Sequence, residues 1–172
     1  THPHGGVTLC CISDHTDGLN RARNDNEFLT LNESSINEHL NSDYYKEVRL
    51  QMLNNEMPKA CNRCYEEEDK GLKSKRIHET EVFKQNSSDW ASGLTSEDGS
   101  IPMDLRFVEL RLGNVCNVRC RTCNPASSSK WLDDYRDIVE KADFVNKGYL
   151  GLDYPKDFKW AEDDTFYDDL FE

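Results

Sequence analysis

Cys116-Asn117-Val118-Arg119-Cys120-Arg121-Thr122-Cys123 carries three thiols at C-x3-C-x2-C spacing, directly after a strand-like run. Cysteine thiolates hold iron-sulfur clusters, and a four-iron cluster has four ligands in its full set. Three local ligands leave one iron open, and an open iron can bind a small molecule, which turns an electron carrier into a reaction centre. Before the triplet, Val108, Leu110 and Leu112 alternate with Phe107, Glu109 and Arg111 between Met103 and Leu112, the period of a strand that Gly113-Asn114 ends. After it, Asn124-Pro125-Ala126-Ser127 makes a turn with Ser127 or Ser128 as helix N-cap. Trp131, Tyr135, Ile138 and Ala142 then recur at helical spacing, with Leu132 and Val139 widening the stripe. Strand, cysteine loop and helix predict a βα unit whose site lies at the carboxyl end of the strand, where α/β folds place their ligands.

The other cysteines fall as Cys10-Cys11 and Cys61-x2-Cys64, so the odd total of 7 reads as ligand sets rather than a disulfide framework. Cys10 and Cys11 follow a turn, His2-Pro3-His4-Gly5-Gly6, within the short β-prone run Val7 to Ile12, which sends them to opposite faces. Residues 13–34 are polar and rich in Asn and Asp, a loop with no evident chemistry. Ser35 to Glu38 fits a capping box for a short helix to about Leu40. Ser42 or Asp43 caps a second helix to about Asn55, with Tyr45, Val48 and Met52 on one stripe and Leu50 and Leu53 beside it. Pro58 follows, and Cys61-Asn62-Arg63-Cys64 then places two sulfurs on one side of a tight turn, a spacing that suits one metal centre. Tyr65 to Lys70 forms one or two helical turns closed by Gly71, and Lys73-Ser74-Lys75-Arg76 reads as a solvated basic face.

Residues 77–102, sparse in apolar side chains and rich in Ser, Gly, Asn and acidic residues, read as a linker, with Trp90 docking on a neighbouring surface. From Gly148 onward, Tyr149, Tyr154, Phe158, Trp160, Phe166, Tyr167 and Phe171 read as core anchors of a region whose partner strands are absent. The chain starts on Thr1 and stops at Glu172 without a closing signal, and the expectation is a piece of a longer protein.

Composition narrows the partners. Hydrophobic residues are 36% of the 172, below the roughly 45% usual in globular domains, which predicts a modest core. A net charge of -12, from 33 acidic and 21 basic residues, argues against a nucleic-acid backbone as main partner. No run reaches the about 18 apolar residues of a membrane span, and no leader pattern opens the sequence, so the expected compartment is the cytoplasm.

The triplet Cys116, Cys120 and Cys123, placed after a strand, resembles the signature of the radical S-adenosylmethionine (radical SAM) superfamily. There the three cysteines hold a 4Fe-4S cluster, and the amino and carboxylate groups of S-adenosyl-L-methionine chelate the fourth iron. One departure is Thr122, where the family often has an aromatic residue beside the adenine moiety. Residues 1–76 resemble a SPASM or shorter twitch domain, which binds an auxiliary iron-sulfur cluster: Gly5-x4-Cys10, a helix, Pro58 and Cys61-x2-Cys64 carry the likeness. Cys10, Cys61 and Cys64 match auxiliary-cluster ligands, Cys11 has no firm counterpart, and the family's further ligand would lie before Thr1.

The resemblance implies an α/β fold: the first βα unit of a partial radical SAM barrel over residues 103–172, a linker over 77–102, and a small α+β cluster domain over 1–76. It implies a parent enzyme that cleaves S-adenosylmethionine reductively to a 5'-deoxyadenosyl radical, a peptide or protein substrate, and an electron donor such as flavodoxin or ferredoxin. The family's Gly-Gly-Glu-Pro motif is not in the sequence, so the chain holds the iron ligands without a complete active site. Two other readings of the cysteines stand beside this one. In the first, Cys61, Cys64 and the triplet hold structural zinc, with His2, His4, His15, His39 or His78 completing the set. The second is an electron-transfer ferredoxin, which needs a fourth cysteine near each cluster.

Overall fold

Glycine at position 5 permits the left-handed turn (φ +83°) that brings the amino-terminal segment back against residues 20–31. In the computed structural model of the chain, which describes residues 1–86, 93–105, 107–141 and 158–171, this turn is fixed by Leu31 N-H donating to Gly5 O at 2.9 Å. Ala22 N-H donates to Val7 O and Leu9 N-H to Asn20 O, both at 3.0 Å, around an antiparallel bridge between Thr8 and Arg21. The β-prone run from Val7 thus shrinks to one bridge, and Cys10 and Cys11 fall just past it. A two-stranded hairpin follows, β1 (Arg23–Asn24) pairing with β2 (Glu27–Phe28) in the register Arg23 to Phe28 and Asn24 to Glu27. Asp25 makes the tip at φ +50°, a conformation that Asp tolerates. Residues 13–34 are therefore not a plain loop: strands of two residues are too short to display alternation.

Helix α1 (Ile36–Leu40) opens on the expected capping box, with Glu38 N-H donating to Ser35 Oγ at 3.2 Å and Ser35 N-H to Glu38 Oε2 at 2.7 Å. Helix α2 (Asp43–Leu53) is capped by Ser42 and buries Tyr45 and Val48, while Met52 and Leu53 stay exposed. The Tyr45 hydroxyl donates to Val7 O at 2.9 Å, satisfying a buried polar group and holding α2 on the amino-terminal segment. A 3-10 turn from Lys59 to Cys61 leads into α3 (Asn62–Asp69), and Gly71, at φ +73°, ends that helix. Helix α4 (Lys75–Asn86) then occupies the start of the stretch whose composition reads as a linker. Two ion pairs, Lys75 with Glu79 and Lys73 with Glu81, both at 2.5 Å, support it where apolar periodicity is missing. Trp90, Tyr149 and Tyr154 lie outside the described residues, as does Ala142.

The expected strand over 103–112 is not formed among the described residues. Its side chains alternate, yet Phe107, Val108 and Leu112 stay exposed, because a strand exists only through its ladder and no neighbouring strand is present to supply one. The segment instead lies extended beside the first residue, Thr1 N-H donating to Glu109 O at 2.6 Å and Arg111 N-H to Thr1 Oγ1 at 2.9 Å. Helix α5 (Leu132–Lys141) begins three residues later than a Ser128 cap would start it, after a 3-10 turn over Ser129–Trp131, and it buries Val139 while Ile138 of the expected stripe stays exposed.

The core gathers elements far apart in sequence. Leu31, Ile36, Trp160 and Phe166 form one buried cluster, with Val7, Leu105 and Leu110 packed on it. Trp160 comes from a 3-10 turn over Lys159–Glu162, and Phe166 from α6 (Asp164–Phe171). Their rings meet edge to face, 5.0 Å between centroids at 84°. Aromatic anchors were expected here, and Trp160 and Phe166 serve as such, packing on residues 3–36 and on Leu105 and Leu110, whereas Phe171 stays exposed.

Candidate metal centre

Two chain segments carry the upstream sulfurs to one place. Asp14 N-H donates to Ala60 O at 2.9 Å, which ties the loop after Cys10 to the turn before Cys61. Within that loop Ser13 Oγ donates to Cys10 O at 2.6 Å, and buried Asn20 donates to Ser13 Oγ at 2.9 Å. Ile12 N-H points at Cys10 Sγ, 3.4 Å away. Cys61 is the N-cap residue of α3 and Cys64 lies in its first turn, so both sulfurs sit where unpaired backbone N-H groups and the helix dipole favour negative charge. Cys64 is buried, Cys10 and Cys61 are half-buried, and Cys11 is exposed, which agrees with only one of the adjacent pair facing inward.

Burial, and then the neighbouring thiols of Cys10 and Cys64, push the Cys61 thiol up to about 11. The half-buried Cys61 thiol thus lies among other thiols, where ionisation is costly unless a cation or cationic cluster replaces the proton. The donor set is soft and all-sulfur, which suits iron-sulfur chemistry. Among the described residues, no three His, Cys, Asp or Glu side chains converge as ligands of one metal ion. A four-iron cluster spreads its thiolates over separate irons, so these residues fit such a group. The His2, His4 and His15 rings lie near one another, with His2 and His4 stacked at 5.3 Å, but they too do not form a metal-holding group. Burial holds His2 and His4 down to about 4, so both are neutral at pH 7.

Residues 2–65 match the family model of SPASM, an iron-sulfur cluster-binding domain. Cys10, Cys11, Cys61 and Cys64 all lie inside the matched span. No curated protein and no solved structure matches the chain. All 7 cysteines are free, so none of the upstream thiols is spent on a disulfide.

The downstream triplet occupies a separate loop. Cys123 N-H donates to Cys120 O at 3.0 Å, putting those two sulfurs on one turn, while Cys116 sits at the other end of the loop. Cys116 and Cys123 are half-buried and Cys120 is exposed. The loop is closed at its base by buried Asn114, whose Nδ2 donates to Pro125 O and whose carbonyl accepts from Ser129 N-H, each at 2.8 Å. Ser128 stands at the N-cap position of the turn preceding α5, but its hydroxyl donates to Val118 O at 2.9 Å instead of capping. Trp131 Nε1 donates to Cys120 O at 3.1 Å, and Arg119 pairs with Asp134 at 2.8 Å. The stretch from Ser128 to Asp134 therefore holds the cysteine loop through three side chains, Ser128, Trp131 and Asp134.

An open cleft of about 2180 Å³ is lined by Cys10 and Cys11 and by Phe107, Arg111, Asn124 and Ala126, while Cys61, Cys64 and the triplet cysteines do not line it. Sequence reasoning missed Asn20, Asn114 and Trp131 as holders of the loops. A buried Asn leaves no periodic trace, and Trp131 fits the helical stripe equally well. It also missed Arg76, treated below.

Proposed function

We propose that this chain is the cluster-bearing part of a radical SAM protein. In this reading Cys10, Cys61 and Cys64 hold an auxiliary iron-sulfur cluster, and Cys116, Cys120 and Cys123 hold a 4Fe-4S cluster that binds S-adenosyl-L-methionine. What supports it is the SPASM match over residues 2–65, which contains Cys10, Cys61 and Cys64, together with a Cys61 thiol at the start of α3 that feels both Cys10 and Cys64. Bound in the triplet loop, such a cluster supplies the electron that cleaves S-adenosylmethionine to methionine and a 5'-deoxyadenosyl radical.

The chain's own residues do the rest. Asn114, Ser128 and Trp131 hold the carbonyls of the cysteine loop, which orients its sulfurs without touching them. The open cleft lined by Cys10 and Cys11 is large enough for an extended peptide segment, which supports a peptide or protein substrate. The net charge of -12 supports a protein rather than a nucleic-acid partner, and a flavodoxin or ferredoxin would deliver the electron. No helix among the described residues is long and apolar enough to cross a membrane, and the free thiols suit the reducing cytoplasm.

The test is anaerobic reconstitution of the protein with iron and sulfide, followed by an assay for 5'-deoxyadenosine from S-adenosylmethionine. Iron with matching sulfide, falling by about half when Cys116, Cys120 and Cys123 are replaced by Ala, is the expected result. Stoichiometric zinc in colourless protein overturns the reading.

A further inference from the structure

The basic run after the second cysteine pair is not a solvated face. Ser74 is fully buried, accepts from Ile77 N-H at 3.2 Å and donates to Glu68, so α4 begins at a fixed point beside α3. Arg76 grips the same Glu68 with a two-pronged contact, Nε-H to Oε1 at 3.1 Å and Nη2 to Oε2. Its guanidinium also lies 4.6 Å from the centroid of the Tyr65 ring, and Tyr65 directly follows Cys64. Lys75, paired with Glu79 at 2.5 Å, lines the same cleft as Cys10 and Cys11.

Arg76 favours the charged form of the Cys61 sulfur, Cys64 adds to what holds Arg76 charged, and Cys10 and Cys11 do the same for Lys75, which lines the cleft beside them. A cation held by an aromatic face and two oxygens has lost the freedom to swing into solvent, and fixed charges near a low-dielectric site act more strongly than mobile ones.

We propose that Arg76 and Lys75 are positioning residues that raise the reduction potential of the auxiliary cluster held by Cys10, Cys61 and Cys64. This rests on the reading that those cysteines bind an iron-sulfur cluster. Reduction adds one electron to a thiolate-ligated centre that is already anionic, with no bond to the protein made or broken. A neighbouring cation stabilises the more negative, reduced form more than the oxidised one. Arg76 and Lys75 lie beyond the SPASM-matched residues 2–65, so they reach the site from the adjoining helix.

The experiment uses the full chain with Cys116, Cys120 and Cys123 replaced by Ala, reconstituted anaerobically, so that every iron signal comes from the upstream set. The midpoint potential is titrated by visible absorption and electron paramagnetic resonance. Arg76→Gln is expected to disfavour reduction by about tenfold in the one-electron equilibrium, a negative shift of about 59 mV. Lys75→Gln shifts it the same way by less, and Arg76→Lys, which keeps the charge, restores most of the parent value. If Arg76→Gln disturbs folding by circular dichroism, Lys75→Gln on the open cleft wall carries the test. Potentials within twofold of the parent equilibrium in both neutral variants, or shifts to higher potential, overturn the inference. Failure of the parent to take up iron and sulfide is a different outcome: it overturns the cluster reading, and this inference with it.

Discussion

The indole Nε1 of Trp160 donates to the carbonyl of Pro3 at 2.9 Å, closing a loop of 157 residues. The backbone N-H of Trp160 donates to Asn32 Oδ1 at 3.0 Å, and the ring is 1% exposed. The carboxyl-terminal aromatics thus complete the core of the amino-terminal unit, and the turn at Gly5 that precedes Cys10 packs against that ring.

Replacing Trp160 with Ala should destabilise the fold by about 3–5 kcal/mol, the range for a large buried aromatic. Trp160→Phe keeps most of the apolar contact and leaves the Pro3 carbonyl without its donor, so it should cost less, about 1–3 kcal/mol. Urea unfolding followed by circular dichroism measures both. Equal losses for the two variants would show that the hydrogen bond, not packing, dominates.

Gly5→Ala tests the same corner from the other side. A Cβ at residue 5 would lie 3.0 Å from Leu31 N and 3.1 Å from Trp160 Cδ1, on a backbone at φ +83°. Strain of about 1–3 kcal/mol is expected from the left-handed conformation alone. Unfolding midpoints should fall, and iron uptake by the upstream cysteines should weaken with them, because the turn feeds directly into the Cys10 segment.

Acid should weaken the fold through His39. Its side chain is fully buried, its Nε2-H donates to Ser34 Oγ at 3.1 Å because that hydroxyl is itself committed to Thr30 O, and Nδ1 has no hydrogen-bond partner among the described residues. Burial holds the imidazole down to about 4, against 6.5 in an open chain. The unfolded chain therefore binds more protons between these values. Stability is full above pH 6.5, declines as pH falls towards 4 and levels off below, with a loss of up to about 3 kcal/mol from this group. His2 and His4 bend the curve in the same direction. In unfolding curves measured from pH 7.5 to 4, His39→Gln should flatten part of this decline while lowering stability at pH 7.5. An unchanged slope would assign the acid sensitivity elsewhere.

How much of this could be read from the residues alone follows from the range of each interaction. The capping box at Ser35 and the Ser42 cap are local rules, and both helices appear within a residue or two of expectation, whereas α5 starts later because Ser128 is drawn to Val118 instead of capping. The C-x2-C motif falls at the start of α3, where helix geometry sets how its two cysteines stand to each other. What failed was pairing. The alternation of residues 107–112 is genuine, but a strand needs a neighbour. The Arg76 role stayed hidden for the same reason: a basic run looks solvated until Glu68 and Tyr65 are seen against it. Helix α4 escaped because its support is ionic, through Lys73 and Lys75.

Cys11 gives a control that separates the adjacent thiols. It is exposed, whereas Cys64 is buried and Cys61 feels both Cys10 and Cys64. With the downstream triplet replaced by Ala, Cys61→Ser and Cys64→Ser should each abolish most iron and sulfide incorporation, and Cys11→Ser should leave it near the parent value. A loss in Cys11→Ser equal to that in Cys64→Ser would place the exposed thiol in the ligand set.

The last test concerns the loop that presents the triplet. Asn114 is 6% exposed, and it is the only described side chain that spans from before the loop to Pro125 after it. Asn114→Ala leaves the Pro125 carbonyl without its donor, while the backbone bond from Ser129 N-H to Asn114 O can persist. A cost of about 1–3 kcal/mol is expected for the unsatisfied buried carbonyl. The larger effect should be local: the loop opens at its base, its three sulfurs lose their common framework, and iron held downstream becomes easier to chelate. Iron held by Cys10, Cys61 and Cys64 should be untouched, since none of the bonds that tie residues 10–14 to Ala60 involves this loop. Timed iron release to a chelator, compared between Asn114→Ala in the intact chain and in the triplet-to-Ala background, reads the two sites separately. Faster release in the intact chain alone is the expected outcome, and equal acceleration in both would mean that Asn114 supports the whole fold rather than the loop.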